Sequence, residues 1–198
     1  MNNVTQTATE FFTAAKKTPL NIIDRPLNKP KKDVSLSAYA YLFSELVQYA
    51  QTKVTNISKA EERLWEVGYQ VGLRMLELQS FREKKVKREL EIVGILGFIS
   101  VNVWKALFGE RADSLERSTE HEDEYMIRIS GDVLVNKYVS LRDGGLNTAA
   151  FVAGVVNGVL DAAEFPSKVS AHYVKPKTVI LIKFEPEVIA REKRLKGA

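Results

Sequence analysis

The sequence predicts an α+β fold, and three observations carry that prediction. Apolar residues recur at three- and four-residue steps from Ser35 to Gly109, the period of a helix, and after the polar "ERADSLERSTEHED" the period drops to two. Two short alternating segments with turn residues between them then flank a small-residue helix, which gives the order three helices, hairpin, helix, hairpin, helix. With 198 residues, 45% hydrophobic and 27% charged, the chain suits one domain with a real core, preceded by an extension.

The extension is expected over residues 1–33, and residues 34–198 are expected to form the single α+β domain. "TPLNIIDRPLNKPKKD" holds three of the six prolines and no stable periodicity, so it reads as extended. Leu20, Ile22, Ile23 and Leu27 give it an apolar side that could lie on a neighbouring surface or on its own domain. The opening "MNNVTQTATEFFTAAKK" has no continuous apolar core of the kind a signal peptide needs. A soluble, cytoplasmic chain is expected, so the sequons at Asn3 and Asn56 are not expected to be glycosylated.

The first helix starts at Ser35, a natural N-cap, and runs to about Val54, with Leu36, Tyr39, Phe43, Leu46, Val47 and Ala50 as its apolar stripe. "SKAE" at Ser58 to Glu61 reads as a capping box opening a second helix, whose core face is Leu64, Val67, Val71, Met75 and Leu78. Gly68 and Gly72, four apart, imply close packing against a neighbouring element. The third helix is expected to begin in the charged run "REKKVKRELE" and to continue into "IVGILGFISVNVWKALFG". From Ile92 that helix is greasy nearly all round, yet Ser100, Asn102 and Lys105 interrupt it short of the roughly 20 apolar residues of a membrane span. One domain's core can take one side of such a helix; other protein chains are expected to take part of the rest.

"EYMIRIS", a turn at Gly131-Asp132 and "VLVNKYVS" are expected to pair as the first hairpin. "LRDGGLN" is a loop, and "TAAFVAGVVNGVLDAAEF" a helix with enough small residues to press closely on the sheet. "KVSAHYV" and "TVILIKF" form the second hairpin, and "EVIAREKRLK" a short basic helix.

Chemistry is hard to find. The chain has no cysteine, which removes disulfides, thiolate metal sites and thiol nucleophiles. His121 and His172 have no partner at metal-ligand spacing, and no phosphate-cradling glycine motif follows a strand. The pairs Glu61-Glu62 and Asp123-Glu124 are accounted for by a helix start and a strand start. No catalytic, cofactor-binding or metal-ligating residue is assigned, and no cofactor is expected. A net charge of +4 and a pI near 9.1 permit peripheral contact with an acidic membrane but fall short of a nucleic-acid footprint. The basic groups at 29–32, 82–88 and 191–196 read as solvated faces, since acidic residues interrupt the last two.

Four segments are less anonymous. "SLSAYAYLFSELVQYAQTKV", "VWKALFGERADSLE", "NTAAFVAGVVNGVLDAAEFPSKVSAH" and "TVILIKFEPEVIAREKRL" resemble, in order and spacing, the small subunits of the transport protein particle, TRAPP, and among them the fifth-subunit type. The resemblance covers about residues 33–196. It implies helices packed on one face of a twisted four-stranded antiparallel sheet, in a non-catalytic subunit of a heteromeric vesicle-tethering complex. That complex works between endoplasmic reticulum and Golgi, peripheral to their membranes, and as a whole exchanges nucleotide on a Rab-type GTPase. Relatives of the fold can hold an acyl chain on a cysteine, a feature that cannot carry over to this sequence. The greasy third helix would then serve a subunit interface, with Val103, Trp104, Leu107 and Phe108 as the candidate contact residues and Trp104 and Phe108 as its anchors. From the residues alone, a small-molecule-binding sensor domain of similar architecture is the rival, and it would need a lined cavity.

Overall fold

A computed structural model describes residues 34–54, 56–82, 88–130, 145–174 and 177–197. The expected extension 1–33, the turn and second strand expected over 131–140 and residues 83–87 of the charged run lie outside them. The described elements are α1 (Leu36–Thr52), α2 (Ile57–Arg82), α3 (Ile92–Phe98), a π-helical turn (Ile99–Val103), α4 (Trp104–Phe108), β1 (Ser114–Arg117), β2 (Glu124–Ser130), α5 (Ala150–Ala162), β3 (Ser167–Val174), β4 (Lys177–Phe184) and α6 (Pro186–Lys196).

The Ser35 hydroxyl accepts from the Ala38 amide and starts α1 as expected. The capping box does not form. Asn56 is the residue that opens α2, its side-chain oxygen accepting from the Ser58 N–H at 3.1 Å and its carbonyl from Ala60. Ser58 lies inside the first turn, two residues too late to cap. The core face of α2 is also turned from the expected one: Leu64 is buried, but Val67 is exposed and Val71, Met75 and Leu78 are only half-covered. The deeply covered side is Ala60, Leu64, Gly68 and Gly72.

Those glycines explain the turn. A Cβ on Gly68 would collide with the Phe151 carbonyl, and one on Gly72 would lie 3.0 Å from the Gly158 Cα. From the other side, a Cβ on Gly154 would collide with the Trp65 carbonyl and one on Gly158 would lie 3.0 Å from the Leu73 amide nitrogen. Two G-x-x-x-G segments therefore face each other, and backbone meets backbone where side chains would hold helices 8–10 Å apart. The close approach expected of α5 is thus made chiefly to α2. Residues 152–160 of α5 are all buried, so its other sides join the core.

The third helix begins at Ile92, with Glu91 at its N-cap, and not in the charged run. Midway it widens to a π turn. The Trp104 amide reaches back to the Ile99 carbonyl, which frees the Ser100 carbonyl to accept from Ala112 at 2.9 Å. That bond ties the helix to the chain leaving it, after Gly109 has ended α4 in the left-handed region at φ 82°.

The sheet has four antiparallel strands in the order β1-β2-β4-β3. β1 lies inside the segment read as a polar linker. Its four residues pair Ser114 with Arg128 through to Arg117 with Tyr125, so β1 and β4 occupy the two edges of β2. The second hairpin forms as expected, with Val169 opposite Ile182 and Ala171 opposite Ile180. Tyr125, Ile127, Ile180, Ile182, Phe184 and Val169 supply the sheet's part of one continuous core. The helices supply Phe43, Val47, Leu64, Ile92, Leu96, Ile99, Trp104, Val156 and Leu160.

Candidate subunit interface

Helix α1 carries two apolar stripes. Phe43, Val47 and Ala50 face the core. A second set, Ala38, Tyr41, Leu42 and Tyr49, recurs at i, i+3, i+4 and i+11 and faces away from it. Tyr41 is 78% and Leu42 72% exposed, and Tyr49 is also exposed. Glu45 is the only charged residue among the helix's 17. A surface helix ordinarily keeps charges on the side away from the core; here that side presents two phenols and a leucine around one carboxylate. Sequence reasoning passed over this stripe because the core stripe already satisfied an amphipathic helix. The signal was the near absence of charge.

The four residues expected at the interface divide. Val103 is 1% and Trp104 3% exposed, and both belong to this chain's own core. Leu107 and Phe108 are half-covered, packed against its edge, with the Phe108 ring 5.0 Å from that of Trp104. The π turn is responsible. Such a turn takes about one residue more than an α turn, so the side chains after it lag behind. Trp104 is thereby brought round to the buried side, next to Val103. What remains outside on α3 and the π turn is Val93, 55% exposed, and Val101, 48% exposed, with Gly97 between them facing open space.

Titratable groups gather elsewhere and are occupied with one another. The Asp161 carboxylate is bonded by Tyr69 and accepts from Asn157 at 3.2 Å; burial pushes it up from the usual carboxylate range, and these bonds pull it partly back. Burial and the Asp161 carboxylate both raise the Tyr69 phenol. His121, Asp123 and Glu124 offer ligand atoms within 4.8 Å of one another. Lys183 already ion-pairs with both carboxylates of that cluster, at 3.7 and 3.1 Å, and the bond to Glu124 raises its own pKa. The two carboxylates of that cluster thus already have a cation beside them. His172 is exposed on β3, its Nε2 2.9 Å from the Ser170 hydroxyl.

For a small ligand, a groove of about 430 Å³ runs beside α1, where Leu36, Ser37, Ala40, Tyr41 and Ser44 line it. These five residues offer hydroxyls but no charge to orient a guest. Among the described residues, no helix is long and apolar enough to cross a membrane.

Comparison with known proteins bears on what such a surface serves. A family model described as transport protein particle (TRAPP) component matches residues 39–185. Over 183 residues the chain is 52% identical to trafficking protein particle complex subunit 5 of Dictyostelium discoideum, covering 88% of this chain and 98% of that one. It is 44% identical over 178 residues to the Homo sapiens subunit 5, covering 89% and 94% of the two chains. A solved trafficking protein particle complex subunit 3 from Naegleria fowleri, covalently bound to palmitic acid, matches with a TM-score of 0.68 at 16% identity. That match covers 76% of this chain and 95% of the other and shows the shared fold.

Proposed function

The chain belongs to the family of TRAPP components, and from that premise we propose that it is a non-catalytic core subunit, of the subunit 5 type, of the TRAPP vesicle-tethering complex. In this reading it acts in transport between endoplasmic reticulum and Golgi, peripheral to those membranes. It supports nucleotide exchange on a Rab-type GTPase only as part of the assembled complex. High identity to proteins named subunit 5, over nearly their whole length, supports the subunit type.

The observation that carries an assembly role is the outward stripe of α1. Tyr41 and Leu42 stand in solvent on a helix with one charge, an arrangement that favours the assembled state over the free chain. A related small subunit is the proposed occupant. Val93, Val101, Leu107 and Phe108 form a second proposed contact along the third helix, with Val103 and Trp104 packed beneath them in the core. The test is coexpression with related small subunits followed by size exclusion, comparing wild type with Tyr41→Ser combined with Leu42→Asp. The variant should lose its partner while keeping its melting temperature. An intact complex at full stoichiometry would sink the assignment. The isolated chain should also show no exchange activity on a Rab-type GTPase, and activity from it alone would overturn the non-catalytic reading.

A further inference from the structure

One end of the domain combines exposed apolar side chains with lysines. Gly68 packs on Phe151 and Gly72 on Gly158, so α2 and α5 run in the same sense. Asn157, late in α5, lies beside Ser167 at the start of β3, whereas Asn147, ahead of α5, donates to the Ala171 carbonyl late in β3 at 2.7 Å. Helix α5 and strand β3 are therefore antiparallel. The Asn147 amide also donates to Glu61 on the first turns of α2, at 2.8 Å. The start of α2 and the end of β3 thus lie at the same end of the domain, past the row Glu61–Asn147–Ala171.

Ile57 is exposed at the start of α2, and Tyr173 and Val174, each more than half exposed, at the end of β3. Lys53, Lys59 and Lys177 are exposed beside them, with the Lys53 ammonium 5.6 Å from the centre of the exposed Tyr49 ring. Over residues 49–62 and 170–178 the only carboxylates are Glu61, engaged by Asn147, and Glu62.

We propose that this end is a docking surface for an acidic phospholipid bilayer. The proposal rests on the reading of the chain as a subunit that works at membranes. Its exposed apolar residues, Ile57 and Tyr173–Val174, sit at the ends of two separate elements, each with an exposed lysine within a few residues in the chain. A tyrosine places its ring among acyl chains and its hydroxyl at the headgroups, and lysines reach the phosphates while their stems lie along apolar surface. The exposed Lys53, Lys59 and Lys177 complement an anionic leaflet.

The test is cosedimentation of the full chain, and of its complex with partner subunits, with phosphatidylcholine vesicles with and without phosphatidylserine. Binding should require phosphatidylserine and weaken with salt. Lys59→Ala and Lys177→Ala should each weaken it by about fivefold. Tyr173→Ser combined with Val174→Ser should weaken it further. All variants should keep the wild-type size-exclusion profile with partner subunits. Binding that ignores phosphatidylserine or these substitutions overturns the proposal, as does a cross-link from position 173 to another subunit in the assembled complex. Failure to assemble with TRAPP subunits is a separate result, and it overturns the subunit reading instead.

Discussion

A single methyl group at Gly154 should separate two helices that nothing else holds so close. The new Cβ would meet the Trp65 carbonyl oxygen well inside contact distance and the Tyr69 amide nitrogen at 2.9 Å. Both obstacles are backbone, so no rotamer change relieves the clash, and α2 and α5 must move apart by about 1 Å or more. Alanine gains about 1 kcal/mol over glycine as a helix former. Against that gain stands overpacking, typically 1–3 kcal/mol where side chains can yield, and more where they cannot. Moving α5 also loosens the fit of Val152, Val156 and Val159, all in the core. The net expectation is a loss of about 2–3 kcal/mol, seen as a lower denaturant midpoint in chemical unfolding of the purified chain. Gly97→Ala is the control: a Cβ there meets nothing within 4 Å, so the helix gain stands alone and stability rises by up to about 1 kcal/mol. If Gly154→Ala unfolds at the wild-type midpoint, the backbone-to-backbone packing of α2 on α5 is wrong.

Trp104→Ala should cost about 3–5 kcal/mol in unfolding experiments because the ring lies in the chain's own core. Val101→Asp, on the exposed side of the same helix, should leave the midpoint within about 0.5 kcal/mol while weakening partner binding in pull-downs. Asn56→Ala should cost about 1 kcal/mol by removing the cap of α2, and Ser58→Ala should cost almost nothing; equal losses in thermal melts would return the cap to Ser58. The raised Asp161 pKa makes the folded state bind the proton more tightly than the unfolded one. That contribution is present at low pH and is lost as pH rises from the ordinary aspartate range through the raised value. Asp161→Asn keeps an acceptor for Tyr69 and should flatten this slope in denaturant titrations across pH; an unchanged slope would place the titration elsewhere.

Local signals translated into structure where one residue did one job. Ser35 caps α1, β3 and β4 pair in full register from Ser167 opposite Phe184 to Val174 opposite Lys177, and the basic terminal helix is α6. Gly68 and Gly72 announced a close neighbour, but which one could be read only by pairing them with Gly154 and Gly158, more than 80 residues away in sequence. β1 escaped notice because its four residues, "SLER", contain one apolar side chain, too few to show a period of two. The edge it takes on β2, opposite β4, is a tertiary choice with no local mark. Asn56 lost to Ser58 in the reading because the capping-box spacing looked complete, whereas an asparagine two residues earlier caps as well.

The apolar third helix shows why the interface was harder to read than the fold. A helix with grease on every side states only that every side is to be covered, and a regular 3.6-residue period would have assigned the sides. The π turn breaks that period in the middle of the segment. Before it, Ile92, Ile95, Leu96 and Ile99 keep one buried side; after it, Val103 and Trp104 return to that side, whereas an unbroken 3.6-residue period would have carried Trp104 about 140° away from Ile99. The aromatic with the greatest area, the natural choice for a contact anchor, is thereby drawn inward. Val93 and Val101 are left to solvent, either side of a glycine with room in front of it. Helix α1 is the opposite case. Its period is unbroken; Phe43, Val47 and Ala50 fill its core side, Leu36 of the expected stripe is exposed, and Tyr41 and Leu42 are surplus to the chain's own packing. Surplus apolar residues on a regular helix identify a shared surface more securely than size or hydrophobicity does, because the fold has already taken all it can use.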